Sequence, residues 1–151
     1  MSSRAEMSSA SNRTPPARLS APALWGLVVG IGQALSPFAF WWLGNATVLA
    51  AGLIVIASVY VGFAVADGRP RVILVECCVT MAFVVLGLAA LTGSPWLLVV
   101  GLAGHGLKDL WQHRTQFVAN TRWWPPFCMV VDFVVATVIA VEILAGVGFH
   151  R

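Results

Sequence analysis

From Ala21 to Ala66 the chain contains no charged residue and no histidine. These 46 residues are more than twice the roughly 20 that a helix needs to cross about 30 Å of hydrocarbon. The rest of the chain is similar, since charged residues make up 10% and hydrophobic residues 59% of its 151 positions. Because so few charges cannot cover a water-facing surface, the composition excludes a soluble domain, and it excludes disorder over most of the length.

Breaks in the apolar pattern divide the chain into five predicted spans. Two tryptophans, a glycine and an asparagine within 41–45 separate the first two spans, and a proline stands at or just before the start of each later one. The predicted fold is therefore an all-α bundle of five transmembrane helices, at about 22–42, 46–66, 71–91, 95–114 and 125–147. Residues 1–20 are predicted to form a flexible basic tail, and residues 21–151 a single transmembrane domain.

The lysines and arginines lie mostly on one side of the predicted bundle. Eight of the nine are in the tail or near the second and fourth connectors, and Arg151 alone falls on the other side. The positive-inside rule places the N-terminus in the cytoplasm and the C-terminus outside. This orientation accounts for the net charge of +3. We therefore predict that the partner is the lipid bilayer of a bacterial cytoplasmic membrane, and that the protein binds no nucleic acid.

A pair of glycines in the first span raises the possibility of a protein partner as well. Gly26 and Gly30 are four residues apart, so they lie on one side of a helix and permit another helix to approach closely. This spacing favours helix packing, and it leaves open a homo-oligomer or a second membrane protein.

Ionisable side chains inside the predicted spans are the features that could perform chemistry. Burial of an ionisable side chain in hydrocarbon costs at least a few kcal/mol, so such a side chain usually faces a partner or a cavity. At 1.5 Å per residue, four of those on spans 3, 4 and 5 lie roughly 8–13 Å from the cytoplasmic helix ends, in one layer: Glu76, His105, Asp109 and Asp132. We therefore predict one polar cluster, with the members His105, Asp109, His113, Glu76, Asp132, Lys108 and Cys128.

Several roles for this cluster remain open at the level of the sequence. It could lock the helices together, relay a proton, or bind a metal or a small polar group. For a metal, His105, Asp109 and His113 form a stripe at four-residue spacing, and Zn or Fe is the usual partner of imidazole with carboxylate. The alternative is a small metal-dependent membrane enzyme that acts on a lipid or an isoprenoid.

The connector before the fifth span and the cysteines allow two interpretations each. Thr115–Trp124 mixes arginines with aromatic residues, which favours a place in the headgroup layer against anionic lipid, and a substrate lid is the alternative. Cys77, Cys78 and Cys128 lie in apolar stretches, which is typical of small apolar fillers. The alternative for these cysteines is a role as ligands.

Two segments carry a resemblance to known families. The helix end from His105 to His113, followed by the segment from Arg122 to Asp132, is similar to an HGxxDxxxH and WxPPFCxxxD pattern of small bacterial integral membrane proteins. This resemblance implies that the cluster is a family feature. The His105-Gly-x-x-Asp109 element also resembles one in bacterial membrane β-carotene cleavage enzymes, which hold iron through histidines on several spans. The other four spans of this chain contain no histidine.

Overall fold

Five α-helices occupy most of the residues that the computed structural model describes, which are 20–119 and 121–146. The helices are α1 (Ala21–Ala39), α2 (Asn45–Asp67), α3 (Pro70–Thr92), α4 (Trp96–Thr115) and α5 (Trp124–Leu144). Their bounds differ from the five predicted spans by at most three residues, so the prediction of an all-α fold is confirmed. Most of the predicted tail, and the last residues of the chain, lie outside the described residues.

The helix ends follow from residues that cannot continue a helix. Gly68 ends α2 in the left-handed conformation, with φ 79°, which costs little for a residue without a Cβ. Pro70 begins α3, and Pro125 stands in the first turn of α5. Proline is favoured there because the first amides of a helix have no partner within it.

Four of the helices in the described ranges are long and apolar enough to cross a membrane, judged by length and composition: α1, α2, α3 and α5. The 20 residues of α4 span about 30 Å, which is also sufficient. Its second half, however, is much more polar than any other helical segment. From His105 onward, α4 carries the polar residues His105, Lys108, Asp109, Gln112, His113, Arg114 and Thr115.

The polar helix α4 packs against three other helices. It lies along α5 and also contacts α3 and α2, whereas α1 packs mainly on α5, and α2 on α3. Leu53 of α2, Leu102 of α4 and Ile139 of α5 meet in one buried apolar core. α4 therefore contacts neighbouring helices on several sides.

Gly26 and Gly30 lie in the contact between α1 and α5. A Cβ atom added at Gly26 would come within 2.5 Å of the backbone oxygen of Phe127, and one at Gly30 would come within 3.0 Å of Cβ of Val134. The predicted close approach of two helices is therefore made within the chain. Both glycines are buried there.

Candidate functional site

One histidine and two aspartates from α4 and α5 come together in the interior. The ring Nδ1 of His105 forms a 2.7 Å hydrogen bond with Oδ2 of Asp132 and lies 3.4 Å from Oδ2 of Asp109. Each of the three residues offers one ligand atom within 4.8 Å of the others. We call His105, Asp109 and Asp132 the His–Asp–Asp group.

Gly106 allows the close approach of α4 and α5 at this point. A Cβ atom there would lie 3.2 Å from the ring of Phe133 and 3.4 Å from Cβ of Asp132. Because Gly106 has no side chain, the two helices can pack closely enough for Asp132 to reach His105. The position of the glycine, one residue after the histidine, thus helps to bring the three side chains together.

The His–Asp–Asp group is fully buried and carries an excess of acidic groups. Its members are at most 1% exposed. Both carboxylate oxygens of Asp109, and Oδ1 of Asp132, have no hydrogen-bond partner within the described ranges. Even a protonated imidazole offsets only one of two carboxylate charges. Since an unpaired buried charge is costly, the group requires a further proton or a cation.

A second pair of charges lies beside the group and joins α3 to α4. Nζ of Lys108 is 2.8 Å from Oε2 of Glu76. The same nitrogen lies 3.1 Å from the ring centroid of Tyr60 on α2, a cation–π contact. The Glu76–Lys108 pair is neutral overall and therefore links three helices without an excess charge.

Tyr60 belongs to the cluster although the sequence analysis did not single it out. Its side chain is fully buried, and its ring lies 5.9 Å, centroid to centroid, from that of His105. Phe83 packs on His105 as well, at 5.0 Å. Tyr60 is the single tyrosine of the chain and stands seven residues before Asp67, which corresponds to a depth of roughly 10 Å. This depth matches that of the predicted cluster residues, so it could have identified Tyr60 from the sequence.

The structure brings together all of the predicted cluster residues except His113. Glu76, Lys108 and Cys128 join the group, and Cys128 is buried near the two aspartates. Its sulfur is not among the ligand atoms that converge. His113 is exposed and lies outside the group. The predicted ligand set of His105, Asp109 and His113 is thus replaced by one that contains Asp132.

Helix geometry explains why His113 lies apart. Successive residues of an α-helix turn by about 100°, so a residue eight positions on lies about 80° around the helix. Gln112, seven positions after His105, lies only about 20° away and is fully buried. The stripe that the sequence suggested therefore continues through Gln112 instead of His113.

The connector between α4 and α5 folds over the cluster. Nε2 of Gln112 donates hydrogen bonds to the backbone oxygen of Val118, at 3.1 Å, and to Oγ1 of Thr121, at 3.2 Å. Val118 and Thr121 are at most 1% exposed, and Val118 packs in a small apolar cluster with Tyr60. The connector therefore covers the polar cluster at this end of the bundle.

Two residues that follow the second predicted span attach this connector to α2. Oδ2 of Asp67 accepts a hydrogen bond of 2.7 Å from the amide of Ala119, and the guanidinium of Arg69 donates one of 2.6 Å to the backbone oxygen of Phe117. Arg69 also pairs with Asp67 itself. The Arg69 guanidinium, and after it the Ala119 amide, hold the pKa of the Asp67 carboxyl well below its usual range.

We expect this attachment to weaken in acid. A carboxyl whose pKa is lowered by folding stabilises the fold above its unfolded-state pKa, about 3.9, and this contribution is lost as the pH falls towards the folded pKa. The wild type should therefore unfold at a higher temperature than Asp67→Asn near neutral pH. The difference should shrink as the pH falls below about 4. Thermal unfolding of both proteins in detergent micelles measures it, and equal unfolding temperatures at neutral pH would contradict the attachment.

Comparisons with known proteins return no match: no family model fits the chain, and neither a curated protein nor a solved structure is similar to it. The resemblance to small bacterial membrane proteins and to the carotene cleavage enzymes stays a prediction. The polar cluster is therefore the feature of the molecule that bears on its function.

Proposed function

We propose that the protein is an integral membrane protein that binds one small cation at the His–Asp–Asp group, inside the bilayer. The observation that carries this proposal is the charge of the group. Two buried carboxylates face one imidazole, and three of their four oxygens have no hydrogen-bond partner in the described part of the chain. A bound cation would neutralise the excess charge and occupy these oxygens.

The proposed topology has five spans, with the N-terminus in the cytoplasm, the C-terminus outside, and a bacterial cytoplasmic membrane as the location. The distribution of Lys and Arg supports this orientation, and four helices have the length and apolarity of spans. We include α4 as a span because it is about 30 Å long and its polar half packs against α2, α3 and α5. Lys108 and Asp109 then lie among helices instead of facing lipid.

The surroundings of the group favour binding over catalysis on a lipid. His105, Asp109 and Asp132 are at most 1% exposed, and the connector with Val118 covers the cluster from one end. A lipid or isoprenoid substrate would need to reach these atoms sideways between helices. The neighbouring Glu76–Lys108 pair joins α3 to α4, and the apolar core that contains Leu102 and Ile139 joins α4 to α5. The His–Asp–Asp group is therefore not needed for helix locking alone.

The proposal is tested by cation-dependent stability. Purified protein in detergent micelles is treated with a chelator and then titrated with single cations, namely Na⁺, K⁺, Mg²⁺, Ca²⁺, Mn²⁺, Fe²⁺ and Zn²⁺, while thermal unfolding is followed. A cation that binds only the folded state adds about 2.7 kcal/mol at 100 times its Kd. We expect at least one of these cations to raise the unfolding temperature of the wild type.

The variant Asp109→Asn keeps the shape of the side chain and removes its charge, so this protein should lose the response. His113→Ala serves as the matched control, because His113 is exposed on the same helix, and it should respond like the wild type. If no cation stabilises the wild type, the proposal is wrong, and the excess charge is neutralised by a proton.

A further inference from the structure

We infer that the cation is a first-row divalent transition metal, bound through Nδ1 of His105 and one carboxylate oxygen each of Asp109 and Asp132. This inference rests on the proposed function and specifies the class of its ligand. It draws on the donor atoms, their spacing, their charge and the closure of the site. Each of these points to the same class of ion.

The donor set combines one imidazole nitrogen with two carboxylate oxygens. Imidazole is a preferred ligand of Zn²⁺, Fe²⁺ and their neighbours, whereas Mg²⁺ and Ca²⁺ take oxygen ligands almost exclusively. A binding site for an alkaline-earth ion would gain little from His105. The histidine at the centre of the group therefore favours a transition metal.

The spacing of the donor atoms suits a small ion. Ligands held at about 2.0–2.1 Å from a tetrahedral metal lie roughly 3.3 Å apart. Nδ1 of His105 is 3.4 Å from Oδ2 of Asp109, and all three ligand atoms fall within 4.8 Å of one another. The 2.7 Å hydrogen bond from His105 to Asp132 would open by about 0.6 Å to reach the same spacing. Binding would release the proton on Nδ1, which is the usual coupling of metal uptake to pH.

The charges of the cluster match a divalent ion. Once the imidazole is neutral, the two aspartates present a charge of −2, which one divalent cation balances. The nearest ammonium group, that of Lys108, is 2.8 Å from Glu76 and is therefore paired elsewhere. A monovalent cation bound to the same neutral imidazole would leave one negative charge uncompensated in the interior.

Closure of the site argues against ions that keep a large coordination shell. Ca²⁺ takes six to eight oxygen ligands, and Mg²⁺ usually keeps several waters in an octahedral shell. The buried group supplies three ligand atoms, with the rings of Tyr60 and Phe83 packed on His105. A four-coordinate ion needs one more ligand, for which a single water suffices.

The inference is tested by metal content and ligand spectroscopy on the full chain. Protein purified in micelles without added metal is analysed by mass spectrometry, and stripped protein is reloaded with Zn²⁺ alone and examined by X-ray absorption. We expect about one equivalent of a transition metal per chain and a first shell of nitrogen and oxygen without sulfur. A Zn–S distance of about 2.3 Å would overturn the assigned ligand set and point to Cys128.

Variants separate the assigned ligands from their neighbours. His105→Gln and Asp132→Asn should each weaken Zn²⁺ affinity by at least about 100-fold. Substitution of residues that only orient the direct ligands already lowers metal affinity by about 10–100-fold. Cys128→Ser and His113→Ala should bind as the wild type does. Because the wild-type metal content is measured directly, the test does not depend on the folding of any variant.

The outcomes distinguish this inference from the proposed function. If Zn²⁺, Fe²⁺ and Mn²⁺ fail to bind while Mg²⁺, Ca²⁺ or a monovalent ion stabilises the wild type, the transition-metal inference is wrong and cation binding stands. If none of these ions binds, both are wrong. Zn²⁺ binding that survives equally in His105→Gln and Asp132→Asn would place the metal elsewhere and overturn the inference.

Discussion

Replacement of Lys108 by alanine is expected to destabilise the folded protein by about 3–5 kcal/mol, the largest effect that we predict for a single substitution. The change removes the ammonium group that faces Glu76 at 2.8 Å. The Glu76 side chain is 1% exposed, so its carboxylate would remain buried without a counter-charge. Thermal or denaturant unfolding in micelles measures the loss.

The double variant Glu76→Leu with Lys108→Leu should recover most of that stability. Replacing both members of a buried ion pair by apolar residues of similar volume is often neutral or stabilising, because neither charge then needs to leave water. Arg114→Ala is the matched control, since Arg114 is an exposed cation on the same helix, and it should change stability by less than about 0.5 kcal/mol. A Lys108→Ala protein as stable as this control would show that the pair contributes nothing.

Substitution of Gly26 by alanine is expected to cost about 1–3 kcal/mol, as overpacking of a tight contact usually does. The new Cβ would come within 2.5 Å of the backbone oxygen of Phe127 and 2.9 Å of Cβ of Val130. Because a backbone atom cannot turn aside as a flexible side chain can, α1 and α5 would have to separate. The free energy of unfolding in micelles measures the cost.

Gly32 provides the matched control on the same helix. Nothing lies within 4 Å of a Cβ atom at this position, so Gly32→Ala should be neutral or stabilise by up to about 1 kcal/mol through the lower helix propensity of glycine. The two substitutions are chemically identical, and only Gly26→Ala should destabilise the protein. Equal effects would mean that α1 does not pack on α5 as described.

The same contact bears on the predicted oligomer. The spacing of Gly26 and Gly30 left open whether the partner helix belongs to this chain or to another one. In the structure both glycines are buried against α5, so this surface is occupied within the chain. A homo-oligomer or a second membrane protein as a partner stays a prediction, and it would have to use a different surface.

Helix positions were predictable because they depend on local properties. The uncharged run is long enough for two helices, α1 and α2, and breakers such as Gly68 and Pro70 act within a few residues of their own position. Depth along a helix is also local, since each residue adds about 1.5 Å. For this reason Glu76, His105 and Asp132 could be assigned to one layer before any contact between helices was known.

The pairing of charges inside that layer could not be predicted in the same way. Depth does not say how each helix is rotated about its own axis relative to its neighbours, and that rotation decides which side chains meet. It turns His113 outward and Gln112 inward, and it directs Lys108 to Glu76 instead of Asp109. The connector residues Val118 and Thr121 are buried for a similar reason, because a loop docks only on a surface that several helices create together.

The sequence by itself thus determined the class of fold, the five helices and the depth of the ionisable residues, since these follow from composition and from distances along one chain segment. Only the tertiary structure decided which members of the predicted cluster form the His–Asp–Asp group, that Tyr60 belongs beside it and that the connector closes it. These features depend on helix rotation and on close approach at Gly26 and Gly106. Such packing arises from contacts between segments far apart in the chain, which no local pattern specifies.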